Sequence, residues 1–598
     1  MTPLPKVSTL LALILPITAI KNPILPGWNP DPSILHLNNE YYLTTSSFEY
    51  FPGLPIYKST DLTNWTLHSH ALTRPSQLAL YGTPTGGGKT TPHPSPTHNT
   101  NLDPKNKGTW APTLSYINNT FYIATMTRWT YDPVAKVWPR ITWISSPDLE
   151  TWSDPIWAEP WGIDPSLFQD PVSGDVYLNL MAPDSKETGI WGIYQCQVDL
   201  GTGKCIDEYR SLWNGTMLHD VSARPEGPKM FVRGEWYYLL IAEGILPFPI
   251  SLKYIWFEGV GVRCGTDDLH RASIARSHSP RGPWTPNPNN PILYNGAYGF
   301  DNLTVQSTGH TTIFDTASGD SYAVYIARRK INGSSPLGRE TFLSPVTWKD
   351  GWPVINNGRP ILLSESFGDT PDQSTPDTWI DNFEGSTLDN RWYQLRTPYT
   401  ENFILREKGG IIFRPNVYSL SERDVPAAIL RKQTSLNMTF TAELLPIRSE
   451  LRQSETVGIS VYLSEFQHQD IGVRGCKDGP GTGMCVYTQL VRNGTVEYDE
   501  VQLNASSVDG LVLYIRAEPL CYRFGYGVAN SSVNWVSSIE SKWLAFAPQG
   551  WFVFEGASFA LFASGNGRPW SAGAPEVGFR SVTEEYFEED IPDYDRWE

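Results

Sequence analysis

The sequence predicts an all-β protein, a five-bladed β-propeller followed by a β-sandwich, on three observations. A hairpin-like unit recurs five times through the first part of the chain. No helical periodicity is sustained, and 49 Gly and 49 Pro punctuate short apolar and aromatic runs. Beyond a Ser/Asp/Thr/Pro-rich stretch, the repeat gives way to a different series of strand-like runs.

The first unit is Asn29-Pro30-Asp31-Pro32-Ser33, a short apolar strand, a turn at Asn38-Asn39 and the aromatic return Tyr41-Tyr42-Leu43. Two further units also carry an acid ahead of the strand, Asp164-Pro165-Ser166-Leu167-Phe168 and Glu226-Gly227-Pro228-Lys229-Met230-Phe231. Two lack it, Trp110-Ala111-Pro112-Thr113-Leu114 and Gly309-His310-Thr311-Thr312-Ile313. Radial repetition of small sheets protects strand edges and starts the innermost strands around one funnel. Asp31, Asp164 and Glu226 are therefore expected to converge on one polar pocket. Like charges and desolvation there push carboxyl pKa values apart, as acid/base chemistry requires. Blades one and two end in matching runs, Ser59-Thr60-Asp61-Leu62-Thr63-Asn64-Trp65 and Ser146-Pro147-Asp148-Leu149-Glu150-Thr151-Trp152, read as turns with a Trp packed between blades. Between those blades, residues 83–107 hold His93 and His98 in a Gly/Pro/Thr-rich run that reads as an exposed loop rather than a metal site.

With 598 residues the chain is too long for one ordinary core, and two domains are expected, residues 22–363 and 379–598, joined by a linker at 364–378. A net charge of −17 and no basic stripe argue against nucleic-acid or anionic-membrane partners and favour a neutral ligand. The 23 Trp and 29 Tyr suit sugar stacking, though most are expected to pack within the sheets. Residues 1–19 carry Lys6 and an apolar run too short to span a bilayer, which reads as a secretory signal peptide. Nine sequons, at Asn64, Asn118, Asn214, Asn302, Asn332, Asn437, Asn493, Asn504 and Asn530, agree with a secreted, extracellular glycoprotein. Secretion permits disulfides, and Cys196 with Cys205 and Cys476 with Cys485 are the first choices, leaving Cys264 and Cys521. No Cys/His spacing makes a zinc site.

These motifs, with Leu337-Gly338-Arg339-Glu340-Thr341, resemble glycoside hydrolase family 43, the inverting β-xylosidases and α-L-arabinofuranosidases. The resemblance spans nearly the whole chain, including the appended β-sandwich. It implies Asp31 as general base, Glu226 as general acid, and Asp164 as the residue that orients the acid and raises its pKa. An inverting enzyme keeps base and acid roughly 6.5–9.5 Å apart so that water fits beneath the anomeric carbon. Arg339 would bind sugar hydroxyls, with an ion pair to Glu340 as the alternative; His310, Phe48 and Trp110 would line the pocket, with core packing as the alternative. No cofactor is required by that chemistry, and calcium near His310 is allowed for. The partner is then a plant cell-wall oligosaccharide or polysaccharide carrying terminal β-xylose or α-L-arabinofuranose. The alternatives are a retaining five-bladed hydrolase, such as a fructan enzyme, an arabinan hydrolase, or a sugar-binding propeller without catalysis. Oligomeric state is left open.

One departure from the family pattern is a segment, residues 245–264, between Ala242-Glu243-Gly244 and Gly265-Thr266. An in-frame retained intron would insert such a segment, and a true lid on the funnel rim is the alternative. From Trp379, runs such as Thr439-Phe440-Thr441-Ala442-Glu443-Leu444 alternate, and Leu511-Val512-Leu513-Tyr514-Ile515 is continuously apolar, as sandwich strands require. The acidic end, residues 584–598, departs from the family's aromatic ending and is read as a solvated tail.

Overall fold

The computed structural model describes residues 20–80, 108–128, 139–183, 191–217, 224–244, 265, 267–297, 302–363, 366–367, 378–476, 483–492, 495–503, 508–528, 531–545 and 554–589. Five four-stranded antiparallel sheets follow one another along the chain. Their innermost strands are Ser33–Leu37, Thr109–Ile117, Ile163–Gln169, Glu226–Arg233 and Val305–Asp315, heading blades one to five. The first hairpin turns where predicted, with Asn38 and Asn39 both at positive φ (54° and 63°), a conformation Asn tolerates.

All five inner strands carry the same backbone device, just ahead of the strand in blade one and within it in the others. Asp31, Ala111, Asp164, Gly227 and His310 are left-handed, with φ between 42° and 59°, and in the first four proline follows. In blades two to five the inner pairing shifts register across this residue. The bulge turns the strand head out of the ladder and presents side chains to the funnel. Aligning the units on it separates the acids into two sets. Asp31, Asp164 and His310 occupy the left-handed position itself, whereas Glu226 stands one residue earlier, as Trp110 does.

Ser59 and Ser146 cap their predicted turns identically. Their hydroxyls accept the amides of Leu62 and Leu149 at 2.9 and 2.8 Å, and the indoles of Trp65 and Trp152 donate back to those leucine carbonyls. Leu149 and Trp152 then pack with Leu54, Ile56 and Leu72 of blade one. These runs are inter-blade packing, as read.

The sandwich sets a six-stranded sheet against an eight-stranded one over a single core that includes Phe440, Ile459, Ile471, Phe524 and Phe559. Both expected disulfides form, Cys196–Cys205 and Cys476–Cys485; Cys521 is a free thiol that donates to Glu518, and Cys264 lies outside the described residues. Ser366–Phe367, inside the stretch read as a linker, instead pairs with Ile20–Lys21, so the two ends of the propeller segment meet.

A mixed aromatic cluster of Trp28, Phe48, Tyr50, Tyr393, Tyr462 and Phe554 welds the domains. Lys432 of the sandwich lies 4.1 Å over Trp28 and donates to Asn29 at 2.8 Å. The acidic end begins as structure rather than as a solvated tail. Glu584 is buried in a bidentate pair with Arg431, and Glu589 accepts from Arg329 of blade five, whose guanidinium also holds Glu340. A carboxylate left in water gains little from one exposed pair, but here buried arginines need partners. Residues 590–598 lie outside the described part, as do the signal-like residues 1–19, His93, His98 and residues 245–264.

Candidate active site

Asp31, Asp164 and Glu226 keep only 5, 5 and 7 % of their surface exposed. The backbone brings them to one end of the propeller, and their neighbours differ. Asp31 accepts from Arg339 Nη1 at 2.8 Å and Nη2 at 3.4 Å, and from Ser46 Oγ at 2.6 Å. Burial pushes its carboxyl up, but Arg339, then His310 and the Ser46 hydroxyl, outweigh that and hold Asp31 below the usual carboxylate range. Asp31 is an ionised acceptor at neutral pH. Glu340 is taken by Arg329, so Arg339 does not pair with its sequence neighbour.

Asp164 Oδ2 accepts the amide of Gly227 at 3.1 Å, the residue directly after Glu226, and lies 3.4 Å from His310 Nε2. The carboxylate of one blade therefore clasps the backbone that carries the next blade's acid. A Cβ at Gly227 would stand 2.9 Å from His310 Nε2, so only glycine fits both the left-handed φ of 59° and the packed imidazole. Close backbone approach is equally visible at Gly309, where a Cβ would meet His270 at 2.3 Å.

His270 fills that space beneath Glu226, completely buried, with Nε2 4.0 Å from Glu226 Oε1. Burial pushes its pKa down to about 3, so the ring is neutral. Nδ1 faces the carbonyl of Ser307 at 3.2 Å, which can only accept, so the proton sits on Nδ1 and Nε2 turns a lone pair toward Glu226. Lys229, three residues after the acid, runs inward to donate to Thr113 Oγ1 of blade two at 2.5 Å. Burial depresses its pKa to about 8 against the pull of Asp164 and Asp31. It remains a cation at neutral pH beneath the two aspartates.

The sandwich supplies part of the site wall. Phe554 stacks on Phe48 (6.2 Å) and meets Trp110 edge-on (5.5 Å), while its carbonyl accepts Arg339 Nε at 3.1 Å. Arg339 lies over the Phe554 ring at 4.9 Å and thus sits between Asp31 and an aromatic face. Phe48 is enclosed in the domain contact, whereas Trp110 retains partial exposure. The next residue, Glu555, is buried beside Glu49, and burial, then that carboxylate, raises its pKa well above the usual value. A Cβ on Gly338 would strike the Glu555 carbonyl at 2.5 Å, which explains a left-handed glycine just before Arg339.

Calcium takes six to eight oxygen ligands. Around His310 the described residues place one Asp164 carboxylate within reach, with the Lys229 ammonium acting on the same carboxylate. That donor set is no calcium cage.

His270, Phe554 and Glu555 have no place in the sequence reading, and Lys229 stands there only as a strand residue. Lys229 could have been suspected as a charge on the buried side of an inner strand; Phe554 and Glu555 carry no local signal at all.

A five-bladed all-β funnel holding three buried carboxylates, one clamped by arginine and one facing a neutral imidazole, defines a glycoside hydrolase. The family comparison agrees. The model described as glycosyl hydrolases family 43 matches residues 20–353, and the beta xylosidase C-terminal concanavalin A-like domain matches 380–574. The chain belongs to glycosyl hydrolase family 43. It is 30% identical over 552 residues, 92% of each chain, to a non-reducing end alpha-L-arabinofuranosidase of Bacteroides ovatus. It is 28% identical to a xylan 1,3-beta-xylosidase of Vibrio sp., covering 87% of this chain and 90% of that one. Among solved structures, a family 43 protein of a Bacteroides ovatus xyloglucan locus superposes with a TM-score of 0.78 at 27% identity, covering 95% of this chain and all of that one. A xylan beta-1,4-xylosidase of Bacillus halodurans gives 0.76 at 25%, with the same coverage.

Proposed function

We propose that this protein is a secreted, inverting exo-glycosidase that removes terminal β-D-xylosyl or α-L-arabinofuranosyl residues from plant cell-wall glycans. The observation that carries the reading is the contrast between an Asp31 carboxylate held ionised by Arg339 and Ser46, and a Glu226 carboxyl that faces a neutral nitrogen lone pair. Asp31 takes a proton from water as its oxygen bonds to the anomeric carbon. The glycosidic carbon–oxygen bond breaks, and Glu226 gives its proton to the departing oxygen. His270, neutral and 4.0 Å away, places no positive charge beside Glu226 that would hold it ionised. Asp164 orients the acid through the Gly227 amide, and Arg339, next to Asp31, is placed to donate to sugar hydroxyls.

The relatives named as arabinofuranosidase and xylosidase support the substrate class. Secretion is supported by two disulfides and by exposed sequon asparagines at 64, 118, 302 and 332.

Proton NMR of the sugar first released from xylobiose and from an arabinofuranosyl-substituted xylo-oligosaccharide tests the reading. Expected products are α-xylose or β-arabinofuranose. Retained configuration would overturn the inverting mechanism, and no release from either would overturn the substrate class.

A further inference from the structure

We propose that the sandwich carries a second, non-catalytic binding site for a neutral glycan chain, in the cleft between its two outer edge strands. The cleft encloses about 410 Å³, within the range of small-ligand sites. It opens between Thr495–Leu503, the last strand of the six-stranded sheet, and Asn534–Glu540, the last strand of the eight-stranded sheet. The opposite edge of the six-stranded sheet, Ala427–Lys432, is the one that meets the propeller. A ligand in the cleft therefore lies away from the catalytic funnel.

The inner face of the sheet changes character as it reaches this edge. Ile471 and Val473 point into the apolar core. Gln469, on the same side of the same strand, lines the cleft instead, opposite Leu490. Thr488 and Asp499, directly paired on the next two strands, continue the polar lining. A sandwich built only to fold would close this end with apolar side chains. Leu490, Val536 and Ile539 nevertheless leave an apolar strip among the polar groups. Sugar rings offer the same combination, a C–H face bordered by hydroxyls.

Gln469 is the strongest pointer. It is 2 % exposed, its Nε2 donates to Ser537 Oγ at 2.8 Å, and its Oε1 has no hydrogen-bond partner among the described residues. An unsatisfied buried carbonyl is costly, and a ligand hydroxyl would satisfy it. Arg492 and Glu497 neutralise each other at 2.8 Å, leaving Asp499 to tip the cleft slightly acidic. On a chain of net charge −17, that disfavours an anionic ligand and leaves a polyol. Engaging one stretch of polymer here would hold the funnel at high effective concentration near chain ends.

The identity of the glycan rests on the proposed function, but the binding test does not pass through the funnel. Full-length protein is run on native gels cast with soluble arabinoxylan, with polygalacturonate, or with no polymer, alongside Gln469→Leu, Asp499→Trp and Asp31→Asn. Asp499 lines the cleft and is exposed, so the Trp fills the cleft without disturbing the core. Arabinoxylan is expected to retard the wild type and Asp31→Asn alike, and both cleft variants should lose at least tenfold in affinity while keeping kcat on an aryl glycoside. Retardation that survives both cleft variants, or disappears in Asp31→Asn, overturns the second site. So does retardation by polygalacturonate alone, or none by either polymer. Cleft-dependent retardation by a protein that cuts no pentoside would leave the site standing and sink the substrate reading alone.

Discussion

The Asp31 and Glu226 sides of the funnel use the same functional group in opposite ways. Around Asp31 every close partner is a donor or a cation, and the carboxylate stays charged despite burial. Beneath Glu226 lies a buried imidazole that cannot protonate near neutral pH and so offers only a lone pair. Role is set by what the surroundings can donate, not by the carboxyl itself.

Removing the acid should break the contrast most severely. Glu226→Ala is expected to lose about 10³-fold in kcat on xylobiose and far less on an aryl glycoside whose leaving group needs no proton, the usual span for general acid catalysis. Equal losses on both substrates would deny Glu226 its role. On the other side, Arg339→Ala removes the largest influence holding Asp31 down. Asp31 would then stay protonated to higher pH, so the acid limb of kcat/KM moves upward, with about a 10²-fold loss below it if one charge-assisted bidentate contact is worth roughly 3 kcal/mol. An acid limb unmoved by the substitution would show that another group sets it.

Lys229→Met sharpens the comparison from below. Its ammonium titrates at about 8, and above that pH the aspartates lose its field. The variant should lose about tenfold in kcat/KM at pH 6, one pKa unit's worth of interaction at 1.4 kcal/mol, and should lack any alkaline step near pH 8. Linkage adds a sign. The unfolded chain keeps this lysine protonated to about 10.4, so the wild type gains stability as pH rises from about 8 toward that value, and the variant does not. Thermal melts across that window read it directly.

The smallest effect belongs to Glu555→Gln at the domain contact. Burial and Glu49 keep Glu555 protonated, and the amide mimics that form, so activity at pH 6 should change less than about twofold. A raised carboxyl pKa means the folded state holds a proton the unfolded state has lost, so wild-type stability falls as pH climbs above 4.5 toward the raised value. The variant should shed that slope, as melts from pH 5 upward would show.

Some of the site was legible because its signals are local. The left-handed aspartates announce themselves as Asp-Pro at strand heads, and the Ser-x-Asp-Leu turns repeat with their closing Trp. The one-residue offset of Glu226, two before its proline where Asp31 and Asp164 are one before theirs, was also written in the chain. Its meaning needed the bulge, because strand side chains alternate direction and a single step changes where an acid points. Glu589 looked like solvated tail since nothing near it in sequence is Arg329.

By itself the sequence determined the five-fold repeat, the sandwich, both hairpin disulfides and which carboxylates head the inner strands, all properties of contiguous residues and their spacing. Only the tertiary structure decided that Arg339 serves Asp31 rather than Glu340, that His270 lies beneath Glu226, that Lys229 reaches blade two, and that Phe554 and Glu555 arrive from the other domain. The reason is physical: these are pairings between groups up to hundreds of positions apart, and charge and burial act through distance in space, which spacing along the chain does not encode.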